Sequence, residues 1–253
     1  MKNTLDFWEQ NAPTSSHEFD WSQLIFAEAL APLVRGKRVL DLGCGGGALS
    51  SFLHRFGASV VGLDFSPQMV SLAKSQNPDI EFVCGNVLEL NLNEQFDIVC
   101  GIAFLHEIDE VDTPRLIQAL KFHLKPHGFG WFQENSFFNP VARLLRNHIV
   151  GRYGVPKYGS ENETPLDRAR FDMYKRQFKY CGRSAEAFVL FSRIYTYFVH
   201  RGSSAPWHWL DRAISTSPVP AIFKRNFSYI QHVYFSDAYS KTDTFRSEVT
   251  RAK

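Results

Sequence analysis

Arg38-Val39-Leu40-Asp41-Leu42-Gly43-Cys44-Gly45-Gly46-Gly47 is the stretch on which the reading of the whole chain turns. Five residues of strand character run into a glycine cluster, the cluster opens a helix over Ala48–Phe56, and a second apolar run stops at Asp64. Gly43 and Gly45 permit positive φ and remove the Cβ atoms that would hold the backbone away from a ligand, while Gly47 lets the new helix approach the strand. Asp64 lies 21 residues beyond Gly43, at the tip of the neighbouring strand, where a carboxylate accepts both hydroxyls of a ribose. A glycine run by itself is a tight turn. With a strand before it, a helix after it and an acid at that offset, it is the first half of a nucleotide-binding α/β sheet.

Gly43, Gly45 and Ala48 formally satisfy the dinucleotide fingerprint G-x-G-x-x-G/A, so a nicotinamide or flavin cofactor has to be weighed. Asp41 argues against it: two residues before the first glycine, its carboxylate repels a pyrophosphate and favours a cation. S-adenosylmethionine carries a sulfonium and an ammonium group and no phosphate. The Asp-x-Gly-x-Gly-x-Gly run resembles the pattern of class I S-adenosylmethionine-dependent methyltransferases, and the resemblance extends from Val39 to about Glu134. It implies a Rossmann-like, mostly parallel α/β sheet of seven strands with helices on both faces. Its last strand would run antiparallel between the fifth and sixth, and a helical insertion or cap would follow in the C-terminal part. It also implies S-adenosyl-L-methionine as donor and S-adenosyl-L-homocysteine as product.

At 253 residues, 44% hydrophobic and 15% aromatic, the chain fills one α/β domain with some surplus for a cap. Residues 1–34 are expected as N-terminal lid helices, 35–135 as the cofactor-binding half, 136–240 as the substrate side with inserted helices, and 241–253 as a polar, disordered tail. Met1–Gln10 carries acids and no apolar run, which does not read as a signal peptide, and no stretch has the length of a membrane span; a cytoplasmic protein is expected. Cys44, Cys84, Cys100 and Cys181 form no C-x-x-C pair and read as small buried residues. The net charge of +2 conceals an asymmetry: residues 1–135 hold 9 Lys and Arg against 17 Asp and Glu, residues 136–253 hold 19 against 9. The basic half either faces something anionic or is a solvated helical surface.

Taken in order, the aromatic stretch Asp6–Trp21 resembles the family's N-terminal lid, which would place Trp8, His17 and Trp21 near the substrate; ordinary packing of an N-terminal helix is the other reading. Asp20 is an N-cap for a helix to about Leu33, with Leu24, Ile25 and Leu30 at helical spacing. Gly57 ends the helix after the glycine loop, Ala58–Leu63 is the second strand, and Ser66-Pro67 starts a short helix. Phe65 and Met69 are placed to flank an adenine ring, with a core role for Met69 equally open. Ile80–Cys84 is the third strand. Gly85-Asn86-Val87 stands where family members commonly have Gly-Asp-Ala; the Asn86 amide still accepts from an adenine amine and also donates. Phe96–Cys100 is the fourth strand, and Gly101–Ile108, with Ala103, resembles the segment along the methyl-donor face, where a His often closes the site. Leu124-Lys125-Pro126-His127-Gly128 resembles the turn before strand five, Phe129–Glu134. Beyond Asn135 the resemblance thins: Asn139-Pro140 opens a basic helix with Val141, Leu144, Leu145 and Ile149 on one side, Gly151–Thr164 is a loop, and a second basic helix runs to about Lys179. Ala187–Ile194 reads as strand six and Phe227–Phe235 as strand seven.

Methyl transfer is an in-line displacement at an already activated carbon, so the protein has to align the nucleophile and, for a hydroxyl or ammonium acceptor, take a proton. His106 is the first candidate base, because imidazole titrates near neutral pH and follows the fourth strand; a purely packing role is the alternative. Glu107 and Glu134 are the other ionisable residues at the carboxyl edge. The donor set is Asp41, Gly43, Cys44, Gly45, Asp64, Phe65, Met69, Asn86, Val87 and Ala103. No compact His/Asp/Glu constellation has ligand spacing, so a metal-free site is expected. The basic, aromatic C-terminal half points to an acceptor with an apolar or aromatic body and a negative group, contacted by Arg143, Arg146, Arg152, Lys157, Arg168 or Arg170, with Trp207 nearby. A small-molecule acceptor methylated on O, N or C leads. RNA, a lipid or lipid-linked acceptor on a membrane surface, a non-methylating cyclase and a non-enzymatic cofactor-binding protein remain as alternatives; DNA is not expected, and monomer or homodimer stays open.

Overall fold

A computed structural model describes residues 19–89, 91–135, 138–150, 166–185, 187–198 and 205–244. Its centre is a sheet of seven strands: β1 (Arg38–Leu42), β2 (Ser59–Asp64), β3 (Glu81–Cys84), β4 (Phe96–Ile102), β5 (Leu124–Asn135), β6 (Tyr180–Ser184) and β7 (Ile230–Ser236), in the order β3-β2-β1-β4-β5-β7-β6. All neighbours as far as β5 pair parallel, and β7 pairs antiparallel with both β5 and β6. The chain therefore leaves β1 toward one side of the sheet and returns through β4 on the other. The crevice at that reversal lies over the carboxyl ends of β1 and β4, where open sheets of this kind bind ligands.

The helices are α1 (Trp21–Leu30), α2 (Ala48–Arg55), α3 (Pro67–Gln76), α4 (Thr113–His123), α5 (Pro140–His148), α6 (Arg168–Gln177), α7 (Phe191–Phe198), α8 (Ala205–Thr216) and α9 (Ala221–Phe227). Their starts follow local chemistry. Asp20 makes a capping box with Gln23 at α1, Ser66 accepts from the Met69 N–H ahead of α3, and Asn139 accepts from the Val141 and Ala142 N–H groups ahead of α5. Alternation along the strands feeds two core layers. Val39, Val60 and Trp131 pack with Phe26 and Leu30 of α1 on one face. Leu40, Val61 and Phe132 pack with Leu116 and Leu120 of α4 and Tyr174 of α6 on the other. On that second face Phe235 of β7 stacks on Phe132, Tyr174 and Phe178 at centroid distances of 5.7, 5.7 and 4.4 Å.

Three expectations need correction. Ala187–Ile194 is not a strand: α7 begins at Phe191, and the backbone N–H groups of Leu190, Phe191 and Ser192 donate to the buried carboxylate of Asp211 from α8. The sixth strand is Tyr180–Ser184, half-buried throughout and without a hydrophobic face, as suits the edge of the sheet. Helix α1 buries Phe26, Ala27 and Leu30, while Leu24 is 36% exposed. On α5, expected as an amphipathic helix, Val141 and Leu144 are 42% and 60% exposed. Cys84 is likewise exposed, whereas Cys44 and Cys100 are buried.

Candidate functional site

The glycine loop is folded by its own backbone. The N–H groups of Gly43 and Cys44 donate to the Leu63 carbonyl at 2.8 and 3.1 Å, which fastens the loop to the end of β2. Gly47 sits at φ 84°, and a Cβ there would meet the Phe82 ring at 2.9 Å, so only glycine lets α2 start this close to the sheet. Over Gly45, by contrast, a Cβ would have nothing within 4 Å. The backbone at that point faces open space, the cradle a ligand needs.

Two carboxylates border this cradle. Asp41, on the central strand, is 1% exposed and accepts from the Ser50 hydroxyl of α2 at 2.7 Å. Asp64 accepts from the Gly45 N–H through Oδ2 and from the Ser66 N–H through Oδ1, both at 2.9 Å, so one carboxylate ties the glycine loop to the start of α3. Burial pushes the Asp41 carboxyl up to about 7, with the nearby Asp64 charge adding and the Ser50 hydrogen bond opposing. Burial raises Asp64 as well, against its backbone donors. Among the described residues neither carboxylate has a cationic partner. A buried acidic pair at the mouth of a glycine loop fits a ligand that brings its own positive charge.

The rest of the expected donor set rings the same edge. Phe65 is half-buried; Met69 is 4% exposed and belongs to the core. The Asn86 side-chain oxygen accepts from the Leu88 N–H at 3.0 Å, forming the turn after β3, and Val87 is buried. Ala103 is exposed at φ 59° and donates its N–H to the Gln133 carbonyl at 2.8 Å.

Beside it, the segment after β4 is clamped from two directions. Glu134, at the end of β5, accepts from the N–H groups of Phe104 and Leu105 at 3.0 and 2.7 Å, from that of His106 at 3.3 Å, and meets His106 Nδ1 at 2.7 Å. Arg170, 1% exposed, reaches from α6 to donate to the carbonyls of Leu105 and Ile108. The His106 ring thus has Nδ1 fixed on Glu134, and its Nε2 lies 3.5 Å from a Glu107 oxygen. Glu134 is fully buried, so its contact is with His106 and the loop.

Of the residues expected on the substrate side, Trp8, His17, Arg152 and Lys157 lie outside the described residues, as do the loop over Gly151–Thr164 and most of the tail. Trp21 packs against the His208 ring and under Arg212. Trp207 is 39% exposed and stacks on Tyr195. Arg143 is exposed on α5. Arg146 lines a small cavity of about 30 Å³ with Arg193, Leu145, Leu190 and Tyr229. Arg170 is spent on backbone carbonyls and is not an anion contact. Its clamp and the buried Asp211 had no sequence signal, because each acts on a segment remote along the chain. Among the described residues no group of three His, Cys, Asp or Glu side chains could hold a metal ion, and no helix is long and apolar enough to cross a membrane.

Residues 39–128 match a family model described as a methyltransferase domain. The chain is 33% identical over 142 residues to a ubiquinone biosynthesis O-methyltransferase of Paracidovorax citrulli, covering 53% of this chain and 57% of that protein. It is 39% identical over 94 residues to an uncharacterized methyltransferase of Synechocystis, covering 37% and 44%. The chain therefore spans about half the length of these relatives. A TehB-like protein of Corynebacterium glutamicum, described as an S-adenosylmethionine-dependent methyltransferase, shares the fold with a TM-score of 0.53 at 16% identity, over 93% of this chain and 96% of that one.

Proposed function

We propose that this chain, a class I S-adenosylmethionine-dependent methyltransferase by the domain at residues 39–128, moves a methyl group to a small-molecule acceptor with an apolar body and a negative group. The observation that carries the reading is the pair of buried carboxylates, Asp41 and Asp64, at a glycine loop whose Gly45 backbone is open, with no cationic partner among the described residues. S-adenosylmethionine, when bound, supplies an electrophilic methyl on a sulfonium.

The chain's residues do the rest. Asp41 balances positive charge at the loop mouth, and Asp64 has lone pairs left for ribose hydroxyls after serving its two backbone donors. The segment from Ala103 to Glu107 forms the wall along which an acceptor is aligned, and Glu134 and Arg170 keep that wall from relaxing. His106 is the base: Glu134 orients the ring through Nδ1, and the acceptor's proton goes to Nε2, beside Glu107. Residues 35–135 serve as the donor half and 136–240 as the acceptor half, whose excess of Lys and Arg suits an anionic acceptor.

Calorimetric titration of the full chain with S-adenosylmethionine and S-adenosylhomocysteine tests the donor; absence of heat from both with folded protein would remove the reading. His106→Ala is expected to lower turnover by about a hundredfold while leaving donor affinity nearly intact. Unchanged turnover would remove His106 from the mechanism.

A further inference from the structure

Arg183 of β6 is half-buried and, among the described residues, pairs with no acid. One guanidinium nitrogen donates to the Arg225 carbonyl at 3.1 Å and to Gln231 Oε1 at 3.3 Å, the other to Asn226 Oδ1 at 2.9 Å. The guanidinium carbon lies 3.6 Å from the centroid of the Phe138 ring. Burial lowers the Arg183 pKa to about 10, and the charges of Arg225 and Arg168 push it the same way. Arg225 itself has a buried Nε with no hydrogen-bond partner. Among the described residues no carboxylate pairs with Arg168, Arg183 or Arg225. Like charges gathered without a counter-charge oppose folding, so the protein retains here a charge imbalance that a bound anion would relieve.

The register places this cluster relative to His106. Gln231 of β7 stands opposite Glu134 of β5, and Arg183 bonds to Gln231 from β6, so all three project from one face of the sheet near its carboxyl edge. Arg183 stands opposite Val233, which stands opposite Phe132, so the Arg183 backbone lies two strand spacings across and two residues along from that of Glu134, about 12 Å away, and Glu134 holds His106. A molecule held at one end by the arginines and lying along this edge would bring its other end to the Ala103–Glu107 wall.

We propose that Arg168, Arg183 and Arg225, with Asn226, bind the phosphate or carboxylate group of an extended acceptor whose apolar body lies against Phe138. The proposal rests on the methyl-transfer reading for the word acceptor, and the anion site itself is testable without it. Forked donors favour such planar or tetrahedral oxyanions over halides, and an aryl or alkyl body gains from the Phe138 face.

The test titrates the full chain, saturated with S-adenosylhomocysteine, with phenyl phosphate and benzoate, and with phenol as the neutral control. Phenyl phosphate or benzoate should bind at least about tenfold tighter than phenol, and Arg183→Met and Arg225→Met should each weaken that binding by about tenfold or more. Arg168→Met, at an exposed position, gives a third variant should the others fail to fold. Lys74→Met, exposed on α3 at the other end of the sheet, should leave anion binding as in the wild type. Anions that bind no better than phenol, or anion affinity unmoved in all three cluster variants, would overturn the site. Loss of S-adenosylhomocysteine binding in the wild type would instead count against the donor reading and leave the anion measurement standing.

Discussion

Replacing Asp41 by Asn isolates the charge that the glycine loop presents to its ligand. The Asp41 carboxyl is 1% exposed and is pushed up to about 7, whereas in the unfolded chain it titrates near its ordinary value of 3.8. A folded pKa above the unfolded one means that the folded protein holds the proton more tightly. The associated stability is fully present below about pH 4 and is lost as pH rises through 7. Roughly three pH units at about 1.4 kcal/mol each make ionised Asp41 cost about 4 kcal/mol above pH 8 in the ligand-free protein. Asn removes that cost and gives up about 1 kcal/mol of the charged Ser50 hydrogen bond, so the variant should be about 3 kcal/mol more stable at pH 8 and less than about 1 kcal/mol more stable at pH 5. Donor binding runs the other way. The cationic donor selects ionised Asp41, a form present at about 1% at pH 5, so wild-type affinity should fall about a hundredfold from pH 9 to pH 5, with a proton released per donor bound near pH 6. In Asp41→Asn the profile should be flat and the affinity low throughout. Denaturant unfolding at the two pH values and calorimetry in buffers of different ionisation enthalpy read all of these. A flat wild-type profile, or a variant less stable than wild type at pH 8, would refute the reasoning.

Three further outcomes follow from the clamp and the core. Glu134→Gln, which leaves four contacts to one neutral acceptor, should lower turnover by more than about a hundredfold with donor affinity within a few-fold; equal losses in both would point to general unfolding. Arg170→Met strips the Leu105 and Ile108 carbonyls of their donor and should cost about 2–3 kcal/mol in denaturant unfolding, with faster hydrogen exchange in residues 104–108; unaltered exchange there would show that the loop is held otherwise. Phe235→Ala removes a ring from between Phe132, Tyr174 and Phe178 and should cost about 3–5 kcal/mol, with a loss below 1 kcal/mol contradicting the packing described.

The first five strands and the donor loop were legible because their signals are local. Apolar runs, glycines at fixed offsets, Asp20, Ser66-Pro67 and Asn139-Pro140 each act within a few residues of themselves. Past Asn135 the determinants are distant. Tyr180–Ser184 contains a glycine and an arginine and borders only β7, so it never needed the alternation that marks a strand. Ala187–Ile194 has an apolar run, yet its backbone is claimed by Asp211, about twenty positions on, and periodicity carries no trace of such a carboxylate. At the site the same division holds: Asp41, Gly45 and Asp64 are read from spacing, while the grip of Arg170 on Leu105 spans 65 positions. Arg183 and Arg225 have no local signature, because their sequence neighbours do not encode which side chains fold beside them.

The position of β7 also sets an order for synthesis. Among the described residues it is the last strand along the chain, yet it lies between β5 and β6, and β6 has no other neighbour in the sheet. On a growing chain β5 therefore waits about a hundred residues, from Asn135 to Ile230, with Trp131, Phe132 and an unpaired edge awaiting their cover. A product truncated within that interval would keep the donor loop intact and carry an open, aromatic-rich flank. Such a fragment is the form of this protein most in need of a chaperone.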